Sequence, residues 1–137
     1  MYISQTDSTN STLRTMLLEQ NLPEGFMIQT DFQTSGKGQK GNSWEAEKGN
    51  NLLFSILLYP TQLAIEKYFI ISQLVSIAIK NTLDKYADGF SVKWPNDIYH
   101  FDKKIGGILI ENVIQGGRIK SMIIGIGLNI NQKTFES

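Results

Sequence analysis

Two spacings of apolar residues alternate along this chain, one suited to strands and one to helices. Residues 2–6 are short and β-prone. Over roughly 9–20, Leu13, Met16, Leu17 and Gln20 fall on one helical face, with Asp7 and Ser8 ahead of it as N-cap oxygens. Asn21 to Gly25, with Pro23, ends that helix. Phe26 to Phe32 alternates as a strand does. A polar, glycine-rich loop spans 34–50. Residues 52–59 are nearly continuous apolar, the pattern of a central strand covered on both faces, and Pro60 and Thr61 break it. Phe69, Ile70, Leu74, Ile77, Ala78 and Leu83 predict the longest helix over about 63–86, with Lys67, Lys80 and Lys85 outside. Strands follow near 90–94, 104–114 and 119–130, the last two joined at Gln115-Gly116-Gly117 by a hairpin turn. The pattern is α+β: a mixed, largely antiparallel sheet with helices packed on one face.

Composition narrows the chemistry. At 137 residues the chain has the length of one domain and can bury a core without staples. It has no cysteine, which excludes disulfides, thiolate nucleophiles and zinc–thiolate sites. Its one histidine, His100, argues against a histidine-based metal site or triad. Thirteen basic and 13 acidic residues cancel, so no global field draws the chain to nucleic acid or membrane. The N-terminus has no signal-peptide pattern, and no apolar run reaches the roughly 20 residues of a membrane span. A soluble, cytoplasmic protein is the default expectation.

Candidate chemistry gathers in two places. Gly36-Lys37-Gly38-Gln39-Lys40-Gly41 matches a G-x-G-x-x-G string, but no helical period follows it, and Tyr59, Pro60 and Thr61 stand where a dinucleotide fold wants an acid. A phosphate-binding P-loop nearly fits from Gly36 to Ser43, yet its lysine position holds Asn42. What remains is a loop whose backbone N–H groups suit an anion nest with lysines beside it, or else a plain surface loop. Trp44 follows it, either as cover for a planar base or as a core residue. The second place is Lys93 to Glu111: Asn96 and Asp97 in a tight turn, a basic loop with Lys103 and Lys104, then an apolar strand opened by Gly106 and Gly107. Asn96-Asp97 alone is a turn, and Ser8-Thr9-Asn10 alone is a cap. Glu111 inside an apolar strand is harder to dismiss. Glycine in a strand marks a bulge or a close approach, and Gly125-Ile126-Gly127-Leu128-Asn129 repeats that feature. Two such strands suggest a ligand lying flat on the sheet.

Taken in order, these pieces resemble the biotin protein ligases (biotin–[acetyl-CoA-carboxylase] ligases). The matching elements are Asp7-Ser8-Thr9-Asn10, Gln33 leading into the 36–41 loop and Trp44, Lys93 to Asp97, Lys104 to Leu109 with Glu111, and Gly125 to Asn129. The resemblance covers residues 1 to about 131 and implies the fold of the class II aminoacyl-tRNA synthetases and biotin ligases. It implies a two-step reaction: biotin carboxylate attacks the α-phosphate of ATP, assisted by Mg²⁺, and a lysine of a biotin carboxyl carrier domain then attacks biotinyl-5′-AMP. Ser8, Thr9 and Gln33 would bond the ureido ring with Asn10 nearby, and Gly36, Lys37, Gly107, Ile108, Gly125 and Ile126 would complete the biotin slot. Lys104 would sit at the carboxylate and phosphate as the foremost catalytic residue, joined by Lys37 and Asp97. Lys37, Gly38, Gln39 and Lys40 would close over the nucleotide, Trp44 would lie against adenine, and Asn96, Asp97 and Asn129 would lie on the nucleotide and metal side. No metal ligand is assigned.

Departures from the family pattern carry their own expectations. Relatives have an arginine-rich loop where this chain has Lys37, Gln39, Lys40 and Asn42. A lysine cannot make a bidentate fork to phosphate, so a looser hold on the adenylate is implied. Residues 1–137 are expected to be a partial catalytic domain, lacking the repressor-type N-terminal DNA-binding domain and the family's C-terminal portion with its small β-barrel; no DNA contact is expected. Homodimerisation through a sheet edge is a further expectation, with the strand near 119–124 the candidate. Two alternatives stand beside the ligase: a module that binds biotin or biotinyl-AMP without turnover, and acyl transfer of the lipoate-ligase type.

Overall fold

The structure is a computed structural model, and the residues it describes are 1–38, 42–44 and 48–131. Their order is β1 (Tyr2–Thr6), α1 (Thr9–Glu19), β2 (Met27–Gln33), β3 (Leu52–Leu58), α2 (Phe69–Leu83), β4 (Phe90–Lys93), β5 (Asp97–His100), β6 (Lys103–Gln115) and β7 (Arg118–Leu128). The strands form a seven-stranded sheet in the order β1-β2-β3-β7-β6-β5-β4. β1 and β2 run parallel and the other neighbours antiparallel, as the mixed, largely antiparallel expectation required. Gly116 and Gly117 both have positive φ, 61° and 75°, which matches the twist of the two-residue β6–β7 turn.

The helices cover both faces of the sheet, a correction to the one-face expectation. Strand alternation assigns them. Leu57 and Ile123 pack with Leu13, Met16 and Leu17 of α1, whereas Phe54, Leu58, Ile124 and Ile126 pack with Ile71, Val75 and Ile79 of α2. β3 is thus covered on both sides, as its continuous apolar run predicts.

α2 differs from its expectation in extent and facing. A single 3₁₀ turn, Ile65–Lys67, precedes it, and Ile70, Leu74 and Ile77 point outward while Ser72 and Ser76 are buried. The helix is apolar around its circumference, so periodicity alone does not orient it. Small serines allow close approach to the sheet, and Ser76 Oγ donates to the Ser72 carbonyl at 2.9 Å, satisfying its hydroxyl within the helix. Gln20, expected on the inner face of α1, lies just past the helix end and is exposed.

The 93–111 segment is a three-strand meander, since β5 stands between the turn at 94–96 and β6. Lys104 lies at the start of β6, as the strand expected near 104–114 placed it, and Lys103 joins it there, so the expected basic loop is confined to the residues before them. The strand near 119–124 is part of an inner strand: β7 pairs with both β3 and β6 from Met122 to Leu128, whereas its Arg118–Ser121 end pairs with β6 alone. β1 and β4 are the outer strands. No helix of the described residues is long and apolar enough to cross a membrane.

Candidate functional site

A cleft of about 170 Å³ opens on the α1 face of the sheet, where the start of α1 meets the middle strands. It brings together Ser8, Thr9, Asn10, Gln33, Lys37, Gly38, Trp44, Asn96, Asp97, Lys104, Gly107, Ile108, Gly125 and Ile126, all expected from the sequence. Ile108 and Ile126 border it while their side chains belong to the core under α2. Gly36 and Asn129 are not among its lining residues; the Asn129 N–H donates to the Ile105 carbonyl at 2.6 Å. Gln39, Lys40 and Gly41 lie outside the described residues.

One end of the cleft is built by the N-terminus of α1. Ser8 is its N-cap, accepting from the Ser11 N–H at 3.0 Å. The Thr9 N–H donates to Gln33 Oε1 at 2.8 Å, which fixes the amide of Gln33 with its NH₂ turned away from Thr9. Asn10, 4% exposed, has its amide fully engaged by the protein. Its Nδ2 donates to Glu111 Oε1 at 3.0 Å and to the Leu109 carbonyl at 3.3 Å, and its Oδ1 lies 2.5 Å from Ser55 Oγ. Glu111 is held in turn by Arg14 at 2.6 Å. Asn10 therefore shapes the wall, and Glu111 earns its place in an apolar strand as the anchor behind it.

The floor is made by strand glycines, and the protein's own side chains lie on it. A Cβ on Gly125 would stand 2.5 Å from Asn10 Oδ1. Cβ atoms on Gly107 and Gly127 would meet the Trp44 ring, at 3.0 Å from Cζ3 and 2.6 Å from Cε2 respectively. Gly106 serves the opposite face, where a Cβ would come within 2.6 Å of Leu128. Trp44 is carried by a small ladder between 36–38 and 42–44: Trp44 N–H to the Gly36 carbonyl at 2.8 Å, and Gly38 N–H to the Asn42 carbonyl at 2.6 Å. The Gly38 N–H, one of those expected in an anion nest, is thus engaged in backbone pairing. The Trp44 Nε1–H is buried without a hydrogen-bond partner.

The other end is charged and more open. Lys104 Nζ lies 3.2 Å from Asp97 Oδ1, with the two side chains 44% and 26% exposed, and 5.6 Å from the Trp44 ring centroid. Asn96, expected toward a nucleotide, is buried and donates its Nδ2–H to the Ile108 carbonyl, so it braces the meander. Asp97 is the carboxylate lining the cleft, and no group of three His, Cys, Asp or Glu suited to a metal occurs among the described residues. Sequence reasoning missed Ser55 and Leu53, and it gave no separate site role to Leu109 and Gly127 although both fell inside its motifs. Ser55 had a signal, a lone hydroxyl in an apolar run.

Comparisons with known proteins give the chain its family and fold. Residues 2–129 match the model of the Biotin/lipoate A/B protein ligase family. The chain is 35% identical over 131 residues to the bifunctional ligase/repressor BirA of Bacillus spizizenii, covering 93% of this chain and 40% of that relative. It superposes on the biotin protein ligase from Aquifex aeolicus in complex with biotin and ATP with a TM-score of 0.83 and 30% identity, over all of this chain and 54% of that one. The Leishmania major biotin protein ligase in complex with biotinyl-5-AMP gives a TM-score of 0.81 at 27% identity, covering 98% of this chain and 58% of that one.

Proposed function

The chain belongs to the Biotin/lipoate A/B protein ligase family, and from that premise we propose that it is the biotin-activating part of an ATP-dependent biotin protein ligase. The observation that carries this reading is the pairing, in one cleft, of a hydrogen-bonding end built from Ser8, Thr9 and Gln33 with a cationic end built from Lys104 and Lys37. Biotin has the matching asymmetry, a neutral ureido ring at one end and a carboxylate at the other. Gln33, with Oε1 taken by Thr9, presents its NH₂ as donor to the ureido carbonyl, and the Ser8 and Thr9 hydroxyls accept from the ureido N–H groups. The glycines at 107 and 125 let Trp44 and Asn10 lie close against the sheet, so these two side chains shape the slot that receives the flat ring.

At the charged end, the biotin carboxylate oxygen attacks the α-phosphorus of ATP, and the bond to pyrophosphate breaks. Both reactants are anionic, so positive charge near the forming bond is the main requirement. Lys104 supplies it, with Asp97 holding its ammonium group before ATP binds, and Lys37 adds a second charge from the loop. Removing one such preorganised donor costs about 3 kcal/mol of barrier. Holding the two substrates side by side supplies much of the rest. Trp44 flanks the nucleotide. Mg²⁺ arriving with ATP would neutralise phosphate charge, and Asp97, the carboxylate within the cleft, would help to hold it. In the second step the amine of a carrier-domain lysine attacks the acyl carbon, and AMP leaves.

The test is a titration with biotin and ATP that monitors pyrophosphate, followed by mass analysis of a biotin carboxyl carrier domain. Pyrophosphate release with biotin and a carrier mass shift are expected. Biotin binding with no pyrophosphate at any carrier concentration would replace the ligase with a binding module. Release with lipoate but not biotin would move the chain to the lipoate branch.

A further inference from the structure

We propose that Ser55 is a positioning residue for the ureido end of the cleft, acting through Thr9 and Asn10; this rests on the biotin reading of the site. Ser55 lies mid-way along β3, in the run Leu52–Leu58, and is fully buried. A buried hydroxyl there is unfavourable unless it is paired, and an aliphatic side chain would suit the strand better. Ser55 faces Gly125 across the β3–β7 ladder. Together they leave a notch in the sheet, and the Asn10 amide fills it: Asn10 Oδ1 is 2.5 Å from Ser55 Oγ, and equally close to where a Gly125 Cβ would stand.

Ser55 Oγ also lies 2.7 Å from Thr9 Oγ1, so its single proton has two acceptors within reach. Asn10 Oδ1 has no other donor among the described residues, whereas Thr9 can turn its own proton toward Ser55 Oγ or toward Gln33 Oε1 at 3.2 Å. The arrangement that satisfies every group sends the Ser55 proton to Asn10. The Thr9 hydroxyl is then bound as a donor to protein, and its remaining lone pair faces the cleft as an acceptor. An acceptor is what a ureido N–H needs. Ser55 does not itself line the cleft. Its part is to set the rotation of Thr9 and the pose of Asn10 before ligand arrives.

The experiment is calorimetric titration of the full chain with biotin and, separately, with ATP, for wild type, Ser55→Ala, Thr9→Val and the double variant. Ser55→Ala is expected to raise the Kd for biotin about tenfold, the effect of losing roughly one neutral hydrogen bond, and to leave the Kd for ATP unchanged. The double variant is expected to lose less than the sum of the two single losses, because part of the Ser55 effect runs through Thr9 and the rest through Asn10. Wild-type affinity for biotin in Ser55→Ala, fully additive losses in the double variant, or an equal loss of ATP affinity would each overturn the proposal. If Ser55→Ala does not fold, Ser55→Cys preserves the shape with a much weaker donor, and the same biotin-selective loss is expected; unchanged affinity there would overturn it too. A wild-type chain that takes up no biotin would remove the functional reading itself, and this proposal with it. Wild-type uptake with an indifferent Ser55 variant removes this proposal alone.

Discussion

The two ends of the cleft solve recognition by different means. At the α1 end, Thr9, Asn10, Gln33, Ser55 and Glu111 are linked by hydrogen bonds from four different elements before any ligand is present, and Ser8 beside them is held by Ser11. At the other end, Lys104 rests on one carboxylate 3.2 Å away, with nearly half of its side chain in water, and Lys37 is exposed on a short ladder. The difference follows from what each end must bind. A neutral ring with fixed donors and acceptors is recognised by fixed partners, whose ordering cost is met during folding. A polyphosphate is recognised largely by charge, which tolerates motion, and a flexible lysine can follow a phosphate through a reaction. Shape is set early and charge is supplied late.

Three substitutions probe that division. Lys104→Ala should have the largest effect, slowing pyrophosphate release about 10²- to 10³-fold while weakening biotin by a smaller factor, through the lost partner of its carboxylate. Undiminished turnover would take Lys104 out of the reaction, and an equal loss of biotin affinity would merge the two ends. Gly125→Ala comes next. The added Cβ would lie 2.5 Å from Asn10 Oδ1, a buried and fully engaged group, so Asn10 must move. A loss of about 1–3 kcal/mol in urea unfolding and at least a tenfold weaker biotin complex are expected, with ATP affinity preserved. Wild-type behaviour would mean that the α1 end adapts as freely as the lysine end. Arg14→Ala should have the smallest effect. The pair with Glu111 is 43% and 22% exposed, so its loss is expected to cost below about 1 kcal/mol and to change biotin affinity less than threefold. A larger change would show that the fixed network depends on its solvent-side ion pair.

The sequence made the strand-and-helix order legible because most elements carry local signals. The Ser8 cap, the alternation over 26–32 and the Gly116-Gly117 turn each act within a few residues. The facing of α2 was not legible, since a helix apolar on every side is oriented only by what it meets. β5 was hidden because Asn96 and Asp97 read as a turn, and the short strand pairs across the sheet with residues far from that signal. At the site, the motifs gathered nearly all the lining residues but did not separate those that face a ligand from those that hold the wall. Asn10 and Asn96 have the side chains of ligand contacts, yet both amides are occupied by protein partners. Only their three-dimensional neighbours, a serine in one strand and a carbonyl in another, reveal it.

The seat of Trp44 on the glycine floor also gives the molecule a built-in optical reporter. The chain has two tryptophans. Trp94 stands largely in solvent beside Phe69, at 4.4 Å between ring centroids, on the α2 side. Trp44 lies against Gly107 and Gly127, with an unsatisfied indole N–H and a lysine ammonium 5.6 Å from its ring. Any molecule that reaches the floor must change the polarity around one indole and leave the other as an internal standard. The emission of this chain therefore separates occupancy of the cleft from events elsewhere on its surface, with no label attached.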